Sequence, residues 1–217
     1  MAPQPLPLAS ALAGELASDA SNPGVAEVLD AALAQFEEIG IRRSTIEDIA
    51  RRAGIDRVTV YRRVGSKDDV IQAVLVREAR RLIDQVSAAT APLPTLEQRI
   101  ATAFAATVIH IRRNALFNRM VALDGDTFLP RITTQASPLL AMGIAAAVGL
   151  LEQAQSDGLL DPVSDPQGIS ELLIRLVHSF VLTPDGAVKR HDRAALEAFA
   201  SAHLTPLVMG HARRQAG

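Results

Sequence analysis

The sequence predicts an all-α protein, with a three-helix unit near its N-terminus and a larger helical domain behind it. Apolar residues recur at three- and four-residue steps along most of the 217 residues, which is the spacing of one helix face. Alanine and leucine dominate the apolar residues and aromatic residues make up 3%, a composition that suits packed helices better than sheets. We find no internal repeat and no convincing strand pattern.

The first two helices are marked by start and stop signals. Residues 1–21 mix prolines, alanines and small polar residues, and we expect a flexible arm there. An amphipathic helix then begins at Pro23, which suits a first helical position, and stops at Gly40. The second helix opens with a predicted capping box, in which Ser44 supplies the hydroxyl and Glu47 the carboxylate.

Two further helices complete the N-terminal part of the prediction. Gly54 ends the second helix, and Asp56 is placed to cap a short third helix over 57–64. A fourth helix, over 66–90, is expected to connect a DNA-binding domain at 22–67 to a regulatory and dimerisation domain at 68–217. The rest is predicted as a looser stretch at 114–138 and helices at 95–113, 139–155, 167–182 and 192–209.

Composition excludes several classes of protein. The chain has no cysteine, and its five histidines show no metal-ligand spacing, so we expect no disulfide and no metal site. No stretch approaches the roughly 20 uncharged apolar residues of a membrane helix, and the N-terminus lacks a secretory pattern. We therefore expect a cytoplasmic protein without membrane contact. No phosphate-binding loop, nucleophile elbow or free carboxylate pair indicates an enzyme or a cofactor.

Basic residues concentrate in one segment. Residues 41–67 hold eight basic and three acidic side chains, a local net charge of +5, whereas the whole chain carries −2 and the remainder therefore −7. A basic block on an acidic body is typical of a confined phosphate-binding face. A solvated basic surface would have the same composition, so charge alone leaves both interpretations open.

The segment from Ser44 to Lys67 favours DNA binding. Two short helices meet at Gly54, with small Ala50 and Ala53 where they cross, as in a helix-turn-helix. Such a unit offers its second helix to the major groove. We expect five exposed reading positions, at Arg57, Val58, Thr59, Tyr61 and Arg62, and we expect Ser44 and Thr45 to hold a phosphate at a helix N-terminus.

This segment resembles the DNA-binding domain of the TetR family of bacterial repressors. The family pattern of a hydroxyl, an Ile-Ala pair, an Ala-Gly-Ile/Val turn, an aromatic and a lysine is present in register: Thr45, Ile49-Ala50, Ala53-Gly54-Ile55, Tyr61 and Lys67. The Ala-Gly pair alone would indicate only a structural corner. The resemblance covers residues 24–75 and implies that Thr45, Arg57, Thr59, Tyr61 and Lys67 touch DNA.

One departure affects the recognition helix. Family members usually have Tyr-x-His-Phe where this chain has Tyr61-Arg62-Arg63-Val64. Arg62 and Arg63 add positive charge, and both are included in the predicted DNA-binding set. The division between base reading and phosphate contact stays open for these two residues.

The resemblance further implies a C-terminal domain that binds a small molecule and forms a homodimer. The candidate residues for an apolar effector site are Phe104, His110, Phe117, Met120, Met142 and His178. The apolar faces of the last two helices supply the candidate dimer interface, at Leu172, Leu176, Phe180, Leu196, Phe199 and Leu207. Each set would serve equally well as ordinary core of the monomer.

The sequence therefore predicts a DNA-binding transcriptional regulator, with repression of a palindromic operator and release by an apolar effector as the leading hypothesis. A DNA-binding activator and a repressor without an effector remain alternatives. A helical adaptor that binds no DNA is a more distant one.

Overall fold

Helices form nearly all of the regular structure in the computed structural model, which describes residues 23–133, 137–183, 186–189 and 191–213. No strand occurs within those ranges, so the all-α prediction is confirmed. A π-helical turn over Ala200–Leu204 joins the last two helices. In chain order the helices are α1 (Pro23–Ile39), α2 (Ile46–Ala53), α3 (Arg57–Arg63), α4 (Lys67–Thr90), α5 (Leu96–Arg113), α6 (Ala115–Ile132), α7 (Ser137–Ser156), α8 (Pro166–Leu182), α9 (Arg193–Phe199) and α10 (Thr205–Arg213).

The prediction of a loose stretch at 114–138 is wrong. Asn114 caps α6 by accepting the Phe117 N–H at 2.8 Å, and the helix continues to Ile132. The backbone leaves helical geometry at Asp124, where φ is −128° and ψ is 22°. The Asp-Gly-Asp sequence at 124–126 and Pro130 resemble a loop, but the chain accommodates them with a kink in one helix.

The chain divides into two compact units. The first unit comprises residues up to 80 together with 114–142, and the second unit comprises 81–113 together with the residues from 143 onward. Compactness thus groups α6 with the N-terminal helices. The predicted regulatory domain at 68–217 stays a prediction, since function and compactness can divide a chain at different places. The predicted arm at 1–21 lies outside the described residues.

The core of the first unit is built by α1 to α4 and α6. Its fully buried side chains come from each of these helices, with Phe36 on α1, Ile49 on α2, Val60 on α3, Val70 on α4 and Met120 on α6. Their spacing on each helix is the apolar stripe that the sequence shows. This packing fixes which faces of α2 and α3 remain at the surface.

The second unit has an aliphatic cluster and an aromatic cluster. The aliphatic cluster is formed by buried Leu96, Leu151, Ala154, Leu160, Val163, Ile169, Val208 and Ala212. In the aromatic cluster, the ring centroids of Phe180 and Phe199 are 5.0 Å apart and lie 5.1 and 5.8 Å from that of Phe104. Gly143 on α7 lies close to Ile174 on α8, since a Cβ there would be 3.3 Å from the isoleucine side chain.

One helical segment, Pro138–Ser156, is long and apolar enough to cross a membrane by length and composition. The expectation that no stretch approaches this limit is therefore wrong for this segment. Only 22% of the segment is buried within the chain. One such helix is weak evidence for a membrane span, because core helices of soluble proteins meet the same criteria.

Candidate nucleic-acid interface

The second helix is capped one residue later than the sequence pattern predicted. Thr45 is the N-cap of α2; it accepts the Asp48 N–H at 3.1 Å, and the Asp48 carboxylate accepts the Thr45 N–H at 3.1 Å. Ser44, predicted as the cap, is buried and donates its hydroxyl to the Gly40 carbonyl at 2.7 Å. The capping-box prediction with Ser44 and Glu47 is therefore wrong. The phosphate contact expected of Ser44 stays a prediction, and its hydroxyl is buried on the Gly40 carbonyl.

The turn between α2 and α3 has the geometry that a glycine favours. Gly54 has a φ of +68°, and the Ile55 N–H closes the turn on the Ala50 carbonyl at 3.0 Å. Asp56 then caps α3 by accepting the Thr59 N–H at 2.8 Å and the Thr59 hydroxyl at 3.0 Å. Gly54 and Asp56 thus perform the roles predicted for them.

Both caps favour the charged form of a carboxylate, that of half-buried Asp48 at α2 and that of exposed Asp56 at α3. Hydrogen bonds from the side chain and backbone of Thr45 lower the pKa of Asp48, and Arg51 lowers it further. Hydrogen bonds from the backbone and hydroxyl of Thr59 lower the pKa of Asp56. Each negative charge lies at a helix N-terminus, where the helix dipole favours it.

The outer face of α3 carries four of the predicted reading residues. Arg57, Val58, Tyr61 and Arg62 are exposed, whereas Val60 is fully buried in the first unit. Val58 is 66% exposed and Tyr61 is 54% exposed, although both are large and apolar or aromatic. An apolar side chain can contact a thymine methyl group, and arginine can pair with guanine, so this face suits base reading.

The other residues of the predicted DNA-binding set differ in their exposure and in the direction of their side chains. Thr45 is exposed at the α2 N-terminus, and Thr59 is partly buried with its hydroxyl on Asp56. Lys67 places its Nζ 3.4 Å from the Arg42 carbonyl oxygen. Arg63 points to α1, where its guanidinium donates to the Gly24 carbonyl at 3.0 Å. The place of Arg63 in the predicted DNA-binding set stays a prediction, and this contact turns its guanidinium towards α1.

Two basic residues of the loop before α2 were absent from the predicted set. Arg42 and Arg43 are exposed, and among the described residues no ion pair involves their guanidinium groups. By contrast, Arg51 pairs with Asp48, and Arg52 pairs with Glu38. The sequence signal for Arg42 and Arg43 was their place in the segment with a net charge of +5. That signal shows that the segment is basic, but it does not show which side chains face solvent.

The structure does not gather the predicted effector residues into one unit. The second unit contains Phe104, His110 and His178. Phe104 lies in the aromatic cluster. The pKa of His178 is lowered mainly by burial and further by the positive charge of Arg175. The first unit contains Phe117, Met120 and Met142. The ring centroids of Phe117 and Phe128 are 5.8 Å apart, Met120 is fully buried, and Met142 is half-buried.

The predicted dimer residues differ in how much surface they offer. Leu172 is 42% exposed, while Leu176 and Leu207 are half-buried. Phe180 and Phe199 turn towards Phe104 in the aromatic cluster of their own unit. A further residue, Leu196, has no exposed surface, so it belongs to the core and cannot contact a second copy in this conformation. Met209, absent from the predicted set, is 38% exposed.

Comparison with known proteins agrees with this geometry. Residues 28–74 match the family model described as bacterial regulatory proteins of the tetR family. The chain is 29% identical over 154 residues to the HTH-type transcriptional regulator AlkX of Mycobacterium tuberculosis, covering 70% of each chain. It is 28% identical over 165 residues to the HTH-type transcriptional repressor BepR of Brucella suis, covering 71% of this chain and 77% of the relative.

A solved structure has the same fold. The TetR-family repressor AlkX from a Dietzia strain, implicated in biodegradation of n-alkanes, superposes with a TM-score of 0.68 at 19% identity. The superposition covers 89% of this chain and 98% of that one. The relatives are transcriptional regulators, and the matched segment contains the helix-turn-helix. The chain is therefore a DNA-binding transcriptional regulator whose helix-turn-helix segment, residues 28–74, matches the tetR family.

Proposed function

We propose that this protein is a cytoplasmic repressor that binds a palindromic operator as a homodimer and is released by an apolar small molecule. The observation that carries the proposal is the outer face of α3, where Val58 and Tyr61 are exposed beside Arg57 and Arg62. Folding alone does not favour such exposed side chains, whereas DNA provides partners for them: a base edge for Val58 and a phosphate for Tyr61.

Residues of α2, α3 and the start of α4 would share the contacts with DNA. Arg57, Val58 and Arg62 would meet base edges in the major groove, while Tyr61 and Lys67 would contact phosphates. Thr45 would bring the N-terminus of α2 and its dipole towards the DNA backbone. Two such units, roughly 34–36 Å apart in a dimer, would read successive major grooves of one operator.

The dimer would use the exposed apolar positions of the second unit. Leu172 on α8 and Met209 on α10 leave apolar surface in water, and Leu176 and Leu207 are half-buried. A two-fold axis would cover each patch with the same patch of the partner. A self-complementary interface of this kind also explains why a symmetric operator is expected.

The effector would enter the second unit near its aromatic cluster. Burial lowers the pKa of His178, so its imidazole stays neutral at neutral pH and offers both a donor and an acceptor. Neutral polar groups in an apolar wall suit a ligand with a long apolar part and a small polar end. The relation to AlkX, implicated in n-alkane biodegradation in Dietzia, supports an apolar effector. Participation of Phe117, Met120 and Met142 stays a prediction.

DNA anisotropy at two salt concentrations tests the proposal. We expect tight binding to DNA upstream of the protein's own gene, a steep loss with salt, and weaker binding to an unrelated duplex. Arg57→Ala should cost about 1–3 kcal/mol of specific binding. The matched control is Arg193→Ala, which removes the same charge from an exposed ion pair of the second unit.

Two results would contradict the proposal. Equal, weak binding to both duplexes would reduce the α3 face to a basic patch without specificity. Binding that no alkane, fatty acid or acyl ester weakens would favour a regulator without an apolar effector.

A further inference from the structure

We propose that Asp124 and Arg119, both on α6, are positioning residues for DNA binding: they hold the end of α1 and the loop that leads into α2. This inference rests on the DNA-binding role of the first unit, to which α1, α2 and these two α6 residues all belong. Neither residue lies in the segment that resembles or matches the family.

Asp124 holds the loop through a buried carboxylate. The side chain is 4% exposed, and its Oδ2 accepts the Ile41 N–H at 2.7 Å and faces the Arg42 N–H at 3.4 Å. A buried carboxylate is costly unless it is hydrogen-bonded, so these two amides are strongly favoured as its partners. The kink of α6 occurs at this same residue.

Arg119 holds the end of α1. Its Nε donates to the Glu37 carbonyl at 2.8 Å, and its Nη2 donates to the Glu38 carbonyl at 2.6 Å. Carbonyls in the last turn of a helix lack partners within the helix, and a positive charge there also complements the helix dipole. Arg119 and Asp124 thus bind α1 and the following loop with opposite charges.

Gly40 lies between these two contacts and permits the close approach. Its φ is +85°, and a Cβ at this position would lie 3.0 Å from Asp124 Oδ2 and 3.1 Å from Leu123 Cδ1. The Gly40 carbonyl in turn accepts the Ser44 hydroxyl, which sets the loop immediately before the Thr45 cap. Hydrogen bonds and the peptide bonds between neighbouring residues thus connect Asp124 on α6 to the N-terminus of α2.

The held loop carries charges that face solvent. Arg42 is fixed from two sides, since its N–H faces Asp124 and its carbonyl faces the Lys67 Nζ at 3.4 Å. Arg42 and Arg43 are exposed and follow Ile41, the residue that Asp124 holds most closely. We infer that the α6 contacts orient Arg42, Arg43 and the α2 N-terminus towards phosphates, although Asp124 and Arg119 touch no DNA themselves.

The test is DNA binding by the full-length Asp124→Ala and Arg119→Ala variants. The probe is a duplex selected from a random pool by the wild-type protein, and affinity is measured by anisotropy over a range of salt concentrations. We expect each variant to lose affinity about tenfold and to reduce the magnitude of the salt slope by about 1, as one phosphate contact is lost. Asp126→Asn, an exposed change on the same helix, is the matched control and should bind as wild type does.

A conservative variant separates positioning from general stability. Asp124→Asn retains an oxygen that can accept the Ile41 N–H, so it should recover part of the affinity and of the salt slope that Asp124→Ala loses. If Asp124→Ala fails to fold, Asp124→Asn and Arg119→Ala carry the test. Wild-type affinity and salt slope in the folded variants would overturn the inference while leaving DNA binding intact. A wild-type protein that selects no duplex would overturn the DNA-binding role on which the inference rests.

Discussion

Replacing Gly40 by alanine tests the packing between the α1–α2 loop and α6. In this variant an alanine has to adopt a φ of +85°, and its methyl group lies against the Asp124 carboxylate and the Leu123 side chain. The carboxylate then has to shift by a few tenths of an ångström, which lengthens its 2.7 Å hydrogen bond from the Ile41 N–H. Both effects destabilise the first unit.

The expected loss in the free energy of unfolding is the sum of these two contributions. The left-handed conformation costs alanine about 1–2 kcal/mol. Loss of a hydrogen bond to a buried charged group adds about 1.5–3 kcal/mol. Gly40→Ala should therefore lower the free energy of unfolding of the first unit by roughly 2.5–5 kcal/mol if the carboxylate is displaced. Gly54→Ala provides the matched comparison: its φ is +68° and nothing lies within 4 Å of its Cβ position, so only about 1–2 kcal/mol is expected.

Native-state hydrogen exchange is the suitable assay, because a chain with two compact units need not melt in one step. The amide of Phe36, fully buried on α1, reports the stability of the first unit, and the amide of Ile41 reports the Asp124 hydrogen bond. Gly40→Ala should speed exchange at both amides more than Gly54→Ala does. Equal effects of the two substitutions would refute the proposed role of the Asp124 contact.

Three further predictions concern other parts of the chain. Leu196→Ala should destabilise the second unit by about 2–5 kcal/mol, because it empties fully buried space; a change below 1 kcal/mol in hydrogen exchange would contradict its place in the core. Leu172→Glu should shift sedimentation from dimer to monomer without changing the helical circular dichroism signal, and Arg193→Glu, a charge change at an exposed position outside the predicted dimer set, should cause no such shift. Asp56→Ala should lower the melting temperature of the first unit at neutral pH. Since the pKa of Asp56 is depressed in the folded state, its stabilisation is full above an unfolded pKa of about 3.9 and disappears as pH falls through the folded value. The difference between wild type and Asp56→Ala should therefore shrink in acid, and a difference that is constant with pH would show that the charge of the cap is not involved.

Local chemistry determined the helix-turn-helix before any tertiary contact was considered. Gly54 ends α2 because it can adopt a positive φ, and Asp56 caps α3 because its carboxylate reaches the Thr59 N–H. Both interactions span only a few residues, so their signals are contiguous in the sequence. The inward direction of Val60 and the outward direction of Tyr61 follow from the 3.6-residue period of the helix.

Contacts between distant residues decided what the sequence left open. Ser44 and Thr45 both precede a carboxylate by three residues, and the choice between them depends on Ser44 being buried against Gly40. The direction of Arg63 depends on the Gly24 carbonyl, 39 residues away. No local pattern specifies such partners, because a long polar side chain reaches several directions at equal local cost.

The largest difference between sequence and structure is at α6. The sequence Asp-Gly-Asp that begins at Asp124 is typical of a loop. The structural role of Asp124 becomes clear only from its hydrogen-bond partners, which lie 83 and 82 residues earlier in the chain. A buried carboxylate is stable only where such partners exist, and the first unit supplies them. The sequence by itself determined the helix-turn-helix, since caps, turns and periodicity are local. The tertiary structure decided how α6 holds the end of α1 and the loop before α2, since this depends on amides and carbonyls that every residue possesses and no sequence pattern marks.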